Sequence, residues 1–424
     1  LDSRFPTGAM FIHYTPESTL FIIDTLSAFH QANSKAVANI LVSVEDASKF
    51  VSDKQLKSKI DRQWVNIIPI SGSASYSKWT RDVFRVFIKD GRPAFFHLNY
   101  GDESDIKISD NTPCELSRQC GIPYLVHNSL AGEKDSLQGL GIDSGGNLGA
   151  ASGGTLYRGV IATPGFNDKR DAKISEKLKY PLLTKVQERN TELFRSLGLD
   201  VVDIDTSFLY IGHADEVISI LKTRDAAPCD FLILRPSLEK ALQIMSEVRE
   251  PKNGRSLCSN TKFSDLKSRK LNELEYKKIA DYKCVDGVDL KTYMSGPGKK
   301  ILSDNFAREK IEKILKKNTE SLAEKISQTT SCRQPRILEV PTLFEEGKSV
   351  FPNQVNLLEL NPIDGKPAAI VARSYFSPFD QYLKKNLIDR GVKVHFVNDL
   401  TYATEGGDVH CGTNEIRICN SGSH

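Results

Sequence analysis

The residues best suited to chemistry lie far apart in this chain. Near its end, "EGGDVHCGTNEIR" (405–417) reads as a glycine turn and one polar strand carrying His410 and Cys411 side by side. A cysteine that only packs sits among apolar side chains, whereas a polar, glycine-flanked setting suits a thiolate. "GHADE" carries His213 and Asp215, and "KWTRD" carries Trp79 and Asp82. A thiol ionises near pH 8.5, roughly, so a thiolate nucleophile needs positive charge nearby, from His213 or from a cationic substrate. Two aspartates in one pocket repel each other unless a cation lies between them. A guanidinium fits that place, being planar, permanently charged and matched to carboxylates. Asp82 and Asp215 would then hold its edges, Trp79 would cover a face, and Cys411 would attack its carbon.

Each residue also has a blander reading. Cys411 could be a small core residue, His213 a satisfied core histidine, Asp82 a turn cap and Trp79 a core aromatic. His410 reads as structural, or as a donor behind the reacting groups, rather than as the acid/base. A His/Cys/Asp metal site lacks supporting ligand spacing.

These residues can meet only if the fold gathers them. Helical periodicity marks 24–35 and 46–61, and strands are expected at 38–44 and in the buried run "VNIIPI" (65–70). Residues 79–98 form a hairpin pattern about Asp90-Gly91. The same shape returns at 143–165, 211–236, 351–374 and 405–417. From Asp82 to Asn147 to His213 the step is about 65 residues, and the gap from there to 356 is about twice that. The longer gap holds a charged, helical surplus at roughly 262–328, read as an insertion. Its run 304–327 reads as an amphipathic helix with a solvated charged face. Repeats that cannot bury their own faces predict an array closed around an axis. The polar openings of the five units would then converge, bringing Asp82, Asn147, His213, Asp215 and Cys411 together.

Composition sets limits. The 424 residues are 39% hydrophobic, enough for a substantial core, and a net charge of +3 gives no field for nucleic acid or an anionic membrane. No stretch approaches the roughly 18 apolar residues of a membrane span. The eight cysteines include no CxxC pair, which argues against a zinc ribbon or redox motif. Cys114 with Cys120, or Cys258 with Cys284, could bridge in an oxidising compartment, and free thiols fit equally well. The start at Leu1 and those possible bridges point to secretion, with the cytoplasm as the alternative. No feature sets an oligomeric state.

Taken together, the motifs resemble those of the protein-arginine deiminase family. "GGDVHCGTN" is similar to its C-terminal nucleophile motif, "GHADE" to its His-x-Asp motif and "KWTRD" to its Trp-x-x-Asp motif. "DSGGNL", "FPNQVNLLEL" and "VHFVND" resemble family segments in the right order, so the resemblance spans roughly 60–417. It implies an α/β fold, a five-bladed α/β propeller (pentein) with pseudo-fivefold repeats. The propeller would form one catalytic domain over 1–424, without the amino-terminal immunoglobulin-like domains of animal members. It implies Cys411 as nucleophile, His213 as general acid/base, Asp82 and Asp215 as the guanidinium holders, and Trp79 lining its path. The reaction implied converts arginine in proteins or peptides to citrulline through a covalent thiouronium intermediate.

The chain departs from the family in two places. Animal members need calcium, and at the positions the resemblance assigns to its ligands stand Arg81, Val83, Arg85 and Gly149, with His97 and Leu98 in the next strand. Hard cations need several oxygen ligands. The expectation is therefore a calcium-independent enzyme with no metal or other cofactor, Arg81 and Arg85 standing where a cation stood. The peptide-clamping arginines also differ: Lys78 precedes Trp79, "NYGDESD" (99–105) is acidic, and Glu405 stands six residues before Cys411. An acidic rim suits a cationic peptide, or the amino end of agmatine or free arginine. A small-molecule guanidine hydrolase is thus one alternative, and a non-catalytic arginine-binding protein is another. A cysteine protease matches neither the surrounding signatures nor the two aspartates.

Overall fold

The computed structural model describes residues 5–71, 78–89, 92–98, 111–127, 145–162, 180–247, 305–362 and 365–417. Strand β1 (Thr7–His13) leads through a helix (Thr19–Ala32) to a parallel β2 (Val37–Ser43), and two short helices lead on to a parallel β3 (Val65–Ile70). Next, β4 (Arg85–Lys89) and β5 (Arg92–Leu98) form an antiparallel pair, and a helix (Asn111–Cys120) returns the chain to β6 (Tyr124–His127), parallel to β5. The pattern repeats with β7 (Leu148–Ala150), β8 (Thr155–Val160), the helix Tyr180–Ser196 and β9 (Asp200–Asp205). It repeats with β10 (Ser219–Lys222), β11 (Phe231–Ser237), the helices Leu238–Glu247 and Asn305–Thr329, and β12 (Arg336–Pro341). A small hairpin, β13 (Phe344–Glu345) and β14 (Lys348–Ser349), precedes the next round. That round is β15 (Leu358–Leu360), β16 (Ala368–Ala372), the helix Ser377–Ile388 and β17 (Lys393–Val397). Finally β18 (Thr413–Arg417) pairs antiparallel with β1, so strands from the two ends of the described chain build one sheet, β18-β1-β2-β3.

The local reason for each unit is hydrophobic patterning. Middle strands such as β16, "AAIVA", are buried along their whole length, as a strand covered on both faces must be. The first strand of every unit is different. Arg85 to Phe87 of β4, Leu148 to Ala150 of β7, Ser219 and Ile220 of β10, Glu359 of β15, and Asn414, Glu415 and Arg417 of β18 line one common cavity of about 60 Å³. Five first strands thus face the same space, and the residues immediately before them are brought close.

Several expectations shift. The helix read at 24–35 runs from Thr19 to Ala32, and the segment 46–61 holds two short helices, Ala47–Ser52 and Lys54–Lys57. They are separated at Asp53, whose carboxylate caps Leu56 N–H (2.9 Å). Asp90 and Gly91 lie outside the described residues, though Lys89 pairs with Arg92 across them. The helix read at 304–327 runs from Asn305 to Thr329 and is amphipathic as expected, with Glu309, Lys313, Lys317, Glu320 and Glu324 exposed on its charged face. Leu315, Leu322 and Ile326 are buried in a core cluster with Phe231 and Ile233, and Asn318 exchanges hydrogen bonds with the backbone of Asp205 (both 2.9 Å). The rest of the expected insertion, 262–304, lies outside the described residues.

The cysteines pair differently from the local bridges considered. Cys120 is an exposed free thiol, so it does not bridge Cys114, and Cys258 and Cys284 lie outside the described residues. Cys229 instead bonds to Cys332 with Cα atoms 5.0 Å apart, tying the start of β11 to the end of the long helix. Spacing of 103 residues gave no hint of it. Among the described residues no helix is long and apolar enough to cross a membrane.

Candidate active site

Each unit contributes the turn just before its first strand. Asp82 sits on the single helical turn Thr80–Val83, which Asn414 pins by donating to the Phe84 carbonyl (2.6 Å). Its Oδ1 accepts the Gly146 N–H (3.0 Å) and lies 3.7 Å from His213 Nδ1. His213 opens the Ala214–Glu216 turn, and Glu216 accepts its backbone N–H (2.9 Å). Asn147 is brought to the same region but points its amide into the scaffold. It donates to the Gly159 carbonyl (3.0 Å) and accepts the Ala214 N–H (3.1 Å), so it staples the histidine turn in place.

Cys411 does not lie on a strand. Val409–Gly412 form one helical turn and the strand begins only at Thr413. Nor is the setting open: Cys411 is 4% exposed and His213 and Asp215 are each 2% exposed. Polar neighbours in sequence suggested a loop-like site, but those neighbours bond inward. The reactive atoms of His213, Asp215 and Cys411 all lie within 4.8 Å of one another. Asp215 Oδ2 accepts from His410 Nδ1 (2.7 Å) and is 3.6 Å from the Cys411 sulfur, while its Oδ1 is buried with no partner. Gly146 lines the centre. A Cβ there would stand 2.7 Å from His213 Nδ1, 2.8 Å from Asp82 Oδ1 and 3.1 Å from Asp215 Oδ2, so only glycine leaves this space open.

Asn356, in the polar opening of the fourth unit, was missed by the motif reading. Its Nδ2 donates to the Cys411 sulfur (3.2 Å), its Oδ1 accepts the Cys411 N–H (3.2 Å), and its carbonyl accepts the His410 N–H (3.1 Å). The signal was its place: like Asp82 and Asn147, it stands just before the first strand of its unit.

Trp79 forms a half-buried wall rather than an isolated ring. Its indole meets the Tyr402 ring edge to face at 5.3 Å, and Lys78 Nζ lies 5.1 Å from its centroid. Gly406, at φ +97°, folds the chain back so that the Gly407 backbone packs on the indole. Lys78 and Glu405, both departures from the family pattern, form an ion pair with each other. The acidic segment 99–105 lies outside the described residues.

The electrostatics separate these groups. Burial would raise the Asp215 carboxyl, but the His410 hydrogen bond, His213 and Arg81 outweigh it and hold it below its ordinary value. Burial and then the Arg81 charge press the His410 imidazole down to about 4. At neutral pH His410 is therefore an uncharged donor to Asp215, not its counter-ion. Burial, then Asp215 and Asp82, push the Cys411 thiol well above its usual value. Buried beside these two carboxylates, the sulfur keeps its proton.

The positions linked by resemblance to calcium do not fit a hard cation. Arg81 is fully buried, pairs with Glu415 and donates Nε–H to the His410 carbonyl (3.2 Å). Arg85 donates to the Leu148 carbonyl, and burial followed by Arg81 lowers its pKa to about 10. Gly149 packs against the Tyr157 ring with no space for a side chain. His97 and Leu98 lie on β5. Two guanidinium groups stand where oxygen ligands would be needed.

Comparison with known proteins agrees with this architecture. The sequence profile of the family "Protein-arginine deiminase (PAD)" matches residues 198–421, more than half of the chain. The chain belongs to the protein-arginine deiminase family. It is 23% identical to mouse protein-arginine deiminase type-4 over 299 residues, 65% of this chain and 38% of that protein. It is 26% identical to the human type-4 protein over 227 residues, 51% of this chain and 29% of that one. The matched region thus spans about a third of the length of these relatives. In fold the chain is similar to the agmatine deiminase of Enterococcus faecalis, with a TM-score of 0.52 at 12% identity, covering 98% of this chain and 95% of that one. The architecture is the α/β propeller-like fold of such deiminases.

Proposed function

We propose that the protein hydrolyses the guanidinium of protein- or peptide-bound arginine to citrulline and ammonia, with Cys411 as nucleophile and without calcium. The observation that carries this reading is a buried Cys–His–Asp–Asp set in which Asp215 Oδ1 has no partner and the thiol is held protonated by burial and then by two carboxylates. That imbalance is what a guanidinium corrects. Bound between Asp82 and Asp215, it satisfies the orphaned oxygen and offsets the negative field of the two carboxylates at Cys411. The Cys411 proton passes to His213, and the thiolate attacks the guanidinium carbon. His213 returns the proton to the departing nitrogen, which leaves as ammonia. Water then gives a proton to His213 and its oxygen to the thiouronium carbon. The C–S bond breaks with its electron pair going to sulfur, His213 returns its proton to the Cys411 thiolate, the proton on the new oxygen passes to solvent, and citrulline leaves.

Further parts of the reading follow. The five sheets are blades of one closed propeller formed by a single domain, the β18–β1 pairing fastening the ring. Arg81 and Arg85 replace a bound cation behind Asp82. The Cys229–Cys332 bridge favours an oxidising, extracellular compartment. The partners are arginine-bearing proteins, with no role for nucleic acid or membrane. A second reading, turnover of agmatine or free arginine, is kept by the likeness of nearly the whole chain to an agmatine deiminase.

The test is citrulline release from an arginine peptide with and without a calcium chelator, with Cys411→Ala as the blank. Release in chelator that the variant lacks supports the proposal. Activity restored only by calcium overturns its calcium-independent part. Faster turnover of agmatine than of the peptide transfers the assignment to the second reading.

A further inference from the structure

Behind the nucleophile turn lie two carboxyl groups that the reaction scheme does not use. Asp399 stands at the N-cap of the helix Leu400–Ala403 and Asp408 at the N-cap of Val409–Gly412, yet neither side chain caps its helix. They face each other instead, within hydrogen-bond reach. Asp399 is 0% exposed and Asp408 is 4% exposed. Both oxygens of Asp399 and Oδ1 of Asp408 meet no donor.

The charged surroundings are acidic. Asp380, from the helix Ser377–Ile388, acts on Asp399, and Glu216, from the histidine turn, acts on Asp408; the Asn353 N–H gives Asp408 a small opposing stabilisation. Tyr402 on the intervening loop is held protonated by burial and by nearby acids including Asp399. Arg373 approaches Asp380 at 3.9 Å, and is not among the groups that act on Asp399. Two ionised carboxylates cannot stand together in such an enclosure, so one keeps its proton and donates it to the other.

We propose that Asp399 and Asp408 are positioning residues that share one proton, and that this O–H···O bond clasps the loop 399–408 so that Gly407 packs on Trp79 and Cys411 faces Asp215. The two carboxyls tie the ends of a loop whose residues Tyr402, Glu405 and Gly407 form the wall of the site. Cys411 follows Asp408 by three residues, so a movement of the clasp is carried into the nucleophile turn. Loss of the proton at higher pH sets two like charges against each other and opens the clasp.

The catalytic arm of the test rests on the proposed deiminase activity, and the other two arms do not. The full chain is compared with Asp408→Asn, Asp399→Asn and Asp408→Ala, an amide being able to donate to the remaining carboxylate at every pH. In the parent, citrulline kcat and Tm both fall as pH rises above neutral. Both Asn variants keep kcat within roughly threefold at neutral pH and lose that dependence, while Asp408→Ala loses roughly tenfold in kcat with little change in KM. Infrared difference spectra of the parent against Asp399→Asn show a protonated carboxyl C=O band at neutral pH. Absence of that band, or pH profiles of kcat and Tm in Asp408→Asn that superimpose on the parent, would overturn the clasp. Should no guanidine be turned over at all, the band and the melting profile still decide it, so failure of the function and failure of the clasp are separable.

Discussion

Gly146→Ala tests the geometry of the site with the smallest possible change. Its Cβ would arrive 2.7 Å from His213 Nδ1 and 2.8 Å from Asp82 Oδ1, where ordinary contact starts at 3.4 Å. The two buried side chains must therefore retreat by about 0.7 and 0.6 Å, and the Gly146 N–H holds Asp82 against that movement. Displacement of about 1 Å at a reacting centre costs on the order of 100-fold in rate, so kcat should fall by roughly 10- to 100-fold. The added methyl is an overpacking of one atom, with a stability cost of about 1–3 kcal/mol. The Gly146 backbone is outside the left-handed region, so the substitution adds no backbone strain of its own. Steady-state citrulline release, with circular dichroism and Tm as folding controls, reads both quantities. A folded variant with kcat within twofold of the parent would refute the placement of Asp82 and His213 around this glycine.

Other expectations concern the groups that hold this set. Asn356→Ala leaves the Cys411 N–H without its acceptor and removes the amide donor to its sulfur, a loss of about 1–3 kcal/mol, and should lower kcat at least tenfold with KM little changed. Lys78→Met removes the ion pair with Glu405 and should weaken both stability and peptide binding, whereas Lys78→Met with Glu405→Gln recovers most of the stability in a double-mutant cycle. Burial opposes the charge of Glu415, but Arg81 and Arg417 hold its carboxyl far below the usual range. A depressed carboxyl stabilises the fold above its unfolded pKa and loses that contribution as pH falls through the folded one. Tm should therefore drop steeply in strong acid, and Glu415→Gln should flatten that limb. Asp399 and Asp408 are displaced upward, chiefly by burial, so their effect has the opposite sign. They favour the fold on the acid side and cost stability as pH rises from the ordinary carboxylate range through their folded values.

Much of this was readable in the chain because it rests on local patterns. The recurring polar turn before a hairpin located the openings of the units that carry Asp82, Asn147, His213 and Cys411, and "VNIIPI" was found at its observed bounds, Val65–Ile70. The same patterning found the long helix, Asn305–Thr329, but not the core cluster that its thin apolar face joins. It also left Asn356 unnoticed, since an asparagine in a polar turn looks like any turn residue until its distance to a sulfur is known.

Sequence by itself determined which residues could react, the order in which they occur and the repeat that gathers them, because periodicity and side-chain chemistry are written locally. Tertiary structure alone decided their state. It buried Cys411 and raised its thiol, made His410 an uncharged donor, paired Lys78 with Glu405 and Arg81 with Glu415, and set Asp399 against Asp408. Charge state and pairing depend on burial and on neighbours that the fold brings together, often from hundreds of residues away.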